Sequence, residues 1–158
     1  MRKGRLAFIV MRSGKLRKVR IKIESIVTNE DECERLVSEA AGVLSEKDGQ
    51  VFVLYEEPPE TGLTNTKTTL KWDATRIVLL RHGEVEHRQE FVDGTEDTSL
   101  YITSYLQFSM KTVTEKIQIR NEENCWQLEI KFQSQIGDNT PTTVQLKILI
   151  EEVNAHEY

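Results

Sequence analysis

The sequence predicts an all-β fold, an antiparallel closed or nearly closed barrel of about 8–10 strands. The β-branched residues Val, Ile and Thr, which favour strands, make up 40 of the 158 residues. Apolar and polar residues alternate along most of the chain, as in strands with one face buried. Turn residues interrupt this alternation at short intervals. The intervals are too short for crossover helices, which excludes a parallel α/β domain.

The first third of the chain is predicted as strands joined by turns, with one segment left open. Leu16 to Val27 alternates regularly and is predicted as the first strand. In residues 32–44 the apolar side chains fall at helical spacing, so local rules favour an amphipathic helix there. The elements that follow are a hairpin turn at Lys47–Gly49, a strand at Val51–Tyr55, a Pro/Gly loop at Glu56–Asn65 and a strand at Thr66–Trp72.

The strongest strand signal lies between Arg76 and Phe91. The apolar run from Ile77 to Leu80 predicts a buried strand, and Gly83 with its polar neighbours predicts a tight turn. After the turn, one face of a second strand is predicted to be buried and the other to carry charge. The predicted buried face consists of Val85, His87, Gln89 and Phe91.

The turn contains Arg81-His82-Gly83, a motif similar to the one that supplies the nucleophile of the histidine phosphatases. In that family a neutral imidazole attacks phosphorus and cationic side chains hold the phosphoryl oxygens. The family also places the motif near the start of an α/β domain and needs a second histidine much later. Here strands follow the motif, and we interpret it as a coincidental hairpin.

The last third of the chain predicts further strands. Leu100 to Ile119 is long for one strand, so it forms either two strands or one that bends. The apolar residues change faces within this segment, which predicts a β-bulge near Thr112. The remaining predicted strands are Trp126–Phe132 and Val144–Ile150.

The charge distribution suggests how the chain is divided into segments, and the cysteine content suggests its cellular compartment. Residues 1–23 hold nine Lys and Arg and no acidic residue, whereas the rest holds twelve against 26 acidic residues. We expect a basic leader (1–15), one barrel domain (16–153) and a tail (154–158), and the acidic body disfavours nucleic acid. No run is long enough to span a membrane, and we expect no export signal. Two isolated cysteines fit the cytoplasm and give no support for a metal site.

From Val19 to Glu152 the chain resembles the YwiB family, small bacterial proteins of unknown function with a calycin-like (lipocalin-like) β-barrel. The resemblance implies that residues 33–46 form a strand, ahead of the helical interpretation. Two departures are Leu106, where the family usually has Gly, and the basic leader, which has no counterpart. The resemblance rests on Tyr55-Glu56-Glu57, on Arg81-x-Gly83-x-Val85-x-x-x-Gln89-x-Phe91-x-x-Gly94, and on Tyr101-x-Thr103-x-Tyr105 followed by Lys111-Thr112.

The resemblance implies a non-catalytic protein that binds a small apolar or amphipathic ligand, since barrels of this size enclose about one small ligand. The ligand-binding candidates are Arg81, Gln89, Tyr101 and Tyr55. Other interpretations stay open for two of them: Gln89 as an interior side chain hydrogen-bonded to backbone, and Arg81 as the partner of Glu56, Glu57 or another acid. We predict no catalytic residue, metal or cofactor. The alternative function is a structural or regulatory module, a homodimer formed through an exposed strand edge.

Overall fold

The computed structural model describes residues 15–153, which form one antiparallel sheet of ten strands. The described residues also contain a short 3₁₀ turn, Pro59–Thr61. Within the described residues, no helix has the length and apolarity needed to cross a membrane. The strands are β1 Arg17–Asn29, β2 Glu32–Lys47, β3 Gln50–Glu56, β4 Thr66–Trp72, β5 Ile77–Gly83, β6 His87–Phe91, β7 Glu96–Ile102, β8 Gln107–Asn121, β9 Cys125–Ile136 and β10 Thr142–Glu152.

The strands form a nearly closed barrel. Each strand pairs with its neighbours in sequence except across the β6–β7 junction, and β1 also pairs with β10. The two remaining edges, β6 and β7, meet at one backbone bridge, in which Glu86 and Ile102 exchange N–H···O bonds of 2.9 Å. The predicted antiparallel barrel is therefore confirmed, with a single weakly paired seam between β6 and β7.

Side chains complete this seam where the backbone ladder is missing. The Asp97 carboxylate accepts a hydrogen bond from the backbone N–H of Glu90 at 3.0 Å. The Gln89 amide donates to the Thr112 hydroxyl at 3.1 Å, which joins β6 to β8 across the barrel wall. Because an unpaired buried backbone or amide group is costly, these contacts hold the barrel closed.

Residues 32–44 form a strand, so the resemblance was right and the helical interpretation was wrong. β2 pairs with β1 along its length, and its last part, Gly42–Lys47, also pairs with β3. Its inward positions include the small residues Ser38, Ala40 and Gly42, which hide the alternation that a strand normally shows. At Gly42 a Cβ atom would lie 2.7 Å from the Leu54 carbonyl oxygen. The close packing of β2 against its neighbours therefore explains both the small residues and the misleading pattern.

The segment from Leu100 to Ile119 contributes to two strands, β7 and β8, joined by a tight turn at Thr103–Leu106. The predicted bulge exists but lies between Thr114 and Lys116 instead of near Thr112. Thr112 and Thr114 are both fully buried, so the inward face continues past the last apolar residue before the bulge. Because these two buried residues are polar, the sequence pattern placed the bulge too early.

The predicted basic leader and C-terminal tail fall almost wholly on residues 1–14 and 154–158, which lie outside the described residues.

Candidate functional site

The interior of the barrel changes character from one end to the other, and strands β3–β6 show this in three successive rows of paired residues. The first row is Val51, Trp72, Ile77 and Phe91; the second is Val53, Leu70, Leu79 and Gln89; the third is Tyr55, Thr68, Arg81 and His87. We call the end of the first row the filled end and the end of the third row the mouth.

Large apolar side chains occupy the filled end. Trp72 is 2% exposed and Phe91 is fully buried. The Trp72 indole N–H donates to the side-chain oxygen of Asn121 at 3.1 Å, so its polar atom is satisfied. Nearby, the Arg17 guanidinium lies 5.6 Å from the ring centroid of Trp126, a cation–π distance. This end of the barrel is a packed core.

A cavity of about 280 Å³ opens at the mouth. This volume is just below the range of small-molecule sites, which begins at about 300 Å³. Apolar and polar residues both line the cavity, in equal numbers. The apolar residues are Ile23, Leu36, Leu63, Leu70, Leu79, Leu146 and Ile148, and the polar residues are Ser25, Ser38, Tyr55, Glu57, Thr61, Arg81 and Tyr101.

The loop between β3 and β4 is held against the β5–β6 turn and forms one wall of the cavity. The backbone N–H of Glu84 donates to the Asn65 carbonyl at 3.2 Å. Gly83 has a φ of +136°, and a Cβ atom there would lie only 2.1 Å from the same carbonyl oxygen. Only glycine fits this close approach, so the turn fixes the loop that carries Thr61 and Leu63 into the cavity wall.

A buried ion pair lies in the cavity wall. The Glu57 side chain is 3% exposed, and one of its carboxylate oxygens lies 3.9 Å from Arg81 Nε. The same oxygen accepts a hydrogen bond from the Thr68 hydroxyl. Arg81 Nε has no hydrogen-bond acceptor among residues 15–153. Burial, reinforced by the nearby negative charge of Glu57, raises the pKa of the Tyr55 phenol, so Tyr55 remains a neutral hydrogen-bonding group.

His87 completes the polar row of the mouth. It is 5% exposed, its Nε2 lies 3.0 Å from the Ser99 hydroxyl, and its ring centroid lies 5.0 Å from that of Tyr101. Its Nδ1 has no hydrogen-bond partner within the described part of the chain. Burial, with a smaller effect of the Arg81 charge, lowers the pKa of His87 to about 4. The imidazole is therefore neutral at physiological pH.

Three of the four residues predicted to bind a ligand line the cavity: Tyr55, Arg81 and Tyr101. Gln89 does not line it; it lies one row deeper, where its amide is bonded to Thr112. Arg81 takes the ion-pair partner foreseen for it, Glu57. Their role in ligand binding stays a prediction.

Sequence reasoning missed two members of the mouth, Thr68 and His87, as candidates, and it considered Glu57 only as a partner for Arg81. A signal was present in the sequence. In each of β3–β6 the inward-facing positions become more polar toward one end of the strand. Because successive strands run in opposite directions, these polar ends meet at the same end of the barrel.

The Arg81-His82-Gly83 motif forms the last three residues of β5 and belongs to the predicted β5–β6 hairpin, whose turn follows Gly83. Arg81 faces the cavity, while the next residue, His82, is half exposed and its Nδ1 lies 2.8 Å from a carboxylate oxygen of Glu86. Because adjacent strand residues point to opposite faces, Arg81 and His82 do not converge on one phosphoryl group. Within residues 15–153, no three His, Cys, Asp or Glu side chains are grouped so as to hold a metal ion.

Comparisons with known proteins agree with this architecture. Residues 21–148 match the family model described as a domain of unknown function (DUF1934). The uncharacterized β-barrel protein YwiB of Bacillus subtilis (strain 168) is 24% identical over 120 residues, which cover 76% of this chain and 83% of that protein. The crystal structure of the B. subtilis ywiB protein superimposes with a TM-score of 0.80 at 21% identity, covering 90% of this chain and 96% of the other.

Proposed function

We propose, from the premise that the chain belongs to the DUF1934 family of domains of unknown function, that it is a non-catalytic protein that binds a small amphipathic molecule in the mouth of its barrel. The observation that carries this proposal is the cavity of about 280 Å³, whose lining combines apolar side chains with the Glu57–Arg81 pair. Sites for small molecules commonly combine an apolar lining with a few polar groups that orient the ligand.

The fold and the cysteines support two finer parts of this proposal. We propose that the barrel is calycin-like, because every strand except at the β6–β7 junction pairs with its sequence neighbours and the first strand pairs with the last. We also propose that the protein acts in the cytoplasm. Its two cysteines, the exposed Cys33 and the half-buried Cys125, are both unpaired, as is usual for proteins in reducing compartments.

The first experiment is mass spectrometry of the purified protein under native and denaturing conditions. A ligand retained from the expression host would appear as a discrete mass difference, and its identity would name the chemical class. Binding of the neutral fluorescent probe N-phenyl-1-naphthylamine gives an independent test, because the fluorescence of this probe rises in apolar surroundings. We expect saturable binding of one probe per barrel.

A pair of variants on β10 tests whether the probe occupies the mouth. Leu146 lines the cavity, whereas its neighbour Lys147 is exposed on the outer face. Leu146→Trp should fill the cavity and weaken probe binding by about tenfold or more. Lys147→Trp adds the same side chain outside and should leave binding unchanged. Equal binding by both variants, with both correctly folded, would move the probe site away from the mouth and refute the proposal.

A second candidate function is binding to another copy of the chain. The edge strands β6 and β7 face each other at the seam, so a strand edge is a poor surface for this contact. The tip of the β7–β8 hairpin is a better one, because Leu100, Tyr105 and Leu106 are 49%, 95% and 54% exposed there. We expect a dimer measured by analytical ultracentrifugation to dissociate in Tyr105→Ser/Leu106→Ser. A wild-type protein that stays monomeric at high concentration would rule out this candidate.

A further inference from the structure

The charges that line the cavity are balanced before any ligand enters. Among the described residues of the cavity wall, only Glu57 and Arg81 carry a formal charge, and they form a pair at 3.9 Å. His87, next to Arg81 across the β5–β6 ladder, has a pKa of about 4 and adds no charge at neutral pH. The mouth therefore has opposite charges in one pair and a net charge of zero.

A charged ligand would disturb this balance. A carboxylate that approached Arg81 would compete with Glu57, whose own carboxylate is 3% exposed and would then lack compensation. An ammonium group that approached Glu57 would do the same to Arg81. Uncompensated charge in a partly buried site costs more free energy than the new contact returns. A neutral group with a hydrogen-bond acceptor avoids this cost.

The mouth also offers a donor to such a group. Arg81 lines the cavity, and its guanidinium carries five N–H donors, of which the Nε–H is buried. A ligand carbonyl oxygen would accept from the outer N–H groups, and a hydrogen bond from a charged donor is stronger than one between neutral groups. The Tyr55 and Tyr101 side chains lie in the same wall and favour a polar group at this end of the ligand.

We infer that the ligand has an uncharged polar head, such as an amide or another carbonyl group, bound at Arg81, and an apolar tail directed toward Leu70, Leu79 and Ile148. This inference rests on the proposed function and names the chemical class of its ligand. It excludes fatty carboxylates and alkyl ammonium ions as preferred ligands of the wild-type protein.

The test uses three molecules that share one alkyl chain and differ only in charge: octanamide, octanoate and octylamine. Their dissociation constants are measured by isothermal titration calorimetry at neutral pH and one salt concentration. For the wild-type protein we expect octanamide to bind about tenfold more tightly than either charged compound.

The Glu57→Gln variant should change the order of affinities for the three compounds. Glutamine has nearly the same shape and its oxygen still accepts from Thr68, but the mouth then carries one positive charge. We expect octanoate to gain about tenfold or more in affinity and to become the preferred ligand, while octylamine binds more weakly still. Glu90→Gln is the matched control. Glu90 forms a 3.0 Å pair with Arg76 at the surface, so this variant removes the same charge without changing the mouth or the order of affinities.

The outcomes separate the two proposals. If N-phenyl-1-naphthylamine binds in the mouth but the wild-type protein prefers octanoate or octylamine, or binds none of the three, the inference is wrong and the proposed function stands. If neither the probe nor any alkyl compound binds to the folded protein, the proposed function fails and the inference fails with it. A preference for octanamide that persists unchanged in Glu57→Gln would also overturn the inference, because charge balance would then not set the selectivity. Thermal unfolding of each variant confirms that it is folded.

Discussion

The filled end and the mouth of the barrel are built from the same strands, β3–β6, with the same antiparallel pairing. At the filled end the row holds two aromatic rings, of Trp72 and Phe91, both nearly inaccessible to solvent. At the mouth, two rows away, the corresponding positions include Arg81 and His87, and a cavity lined by Arg81 and by residues of β1 and β10 remains there. The backbone is equivalent at both ends, so the size and charge of the inward side chains decide which end is packed and which end holds a cavity.

The largest effect that this comparison predicts is on the stability of the filled end. Trp72→Ala removes a fully buried ring and leaves the Asn121 amide without its donor, so we expect the free energy of unfolding to fall by about 3–5 kcal/mol. Urea denaturation measures the change. Lys67→Ala, on the exposed face of the same strand, is the control and should stay within about 0.5 kcal/mol of the wild type. A small effect of Trp72→Ala would mean that the filled end is not the packed core we describe.

The second prediction concerns pH and the polar row. The pKa of His87 is about 4 in the folded protein against an ordinary value of 6.5, so the unfolded chain binds a proton that the folded protein resists. Stability is therefore full above about pH 6.5 and falls as the pH drops toward 4, by about 1–3 kcal/mol from this residue.

The measurement is the free energy of unfolding as a function of pH for the wild type and for His87→Gln. The variant should flatten the slope between about pH 6.5 and 4, because it removes the group that titrates. If the variant keeps the wild-type slope, His87 is not held neutral by burial.

The smallest predicted effect is a difference in stability between two threonine variants. One threonine hydroxyl has a hydrogen-bond partner, and the other has none among the described residues. The Thr68 hydroxyl donates to the buried Glu57 carboxylate, so Thr68→Val should cost about 1–3 kcal/mol of stability. The hydroxyl of Thr114, also buried, has no hydrogen-bond partner among the described residues. Thr114→Val replaces it with a methyl group and should be neutral or slightly stabilising. Equal losses in thermal or urea unfolding would contradict the assignment of the Thr68–Glu57 contact.

Much of the fold could be predicted because strand periodicity is a local property. The alternation in Trp126–Phe132 and Val144–Ile150 and the turn at Gly83 placed those elements correctly. Local rules failed in β2, where small residues at Ser38 and Gly42 weaken the alternation, and at the bulge in β8, where buried threonines continue the inward face. Both errors arise because burial depends on neighbouring strands that local patterns do not describe.

The candidate site could be predicted only in part. Of the four candidates that followed from the family resemblance, Tyr55, Arg81 and Tyr101 line the cavity. Gln89, predicted as a polar residue on an apolar face, lies deeper and is bonded to Thr112. The difference is one row in the barrel, which corresponds to two residues along a strand, and the sequence contains no measure of where the cavity ends.

The sequence by itself determined most strands and turns, with β2 and the bulge of β8 as exceptions, because strand alternation depends on residues within one hairpin. Tertiary structure decided which polar side chains share the mouth, since Glu57, Thr68, Arg81 and His87 come from separate segments and meet only when the sheet curves into a barrel. It also decided that the charges of Glu57 and Arg81 balance inside one cavity. Charge balance depends on distance in space and on exclusion from water, and neither quantity can be read from positions along a chain.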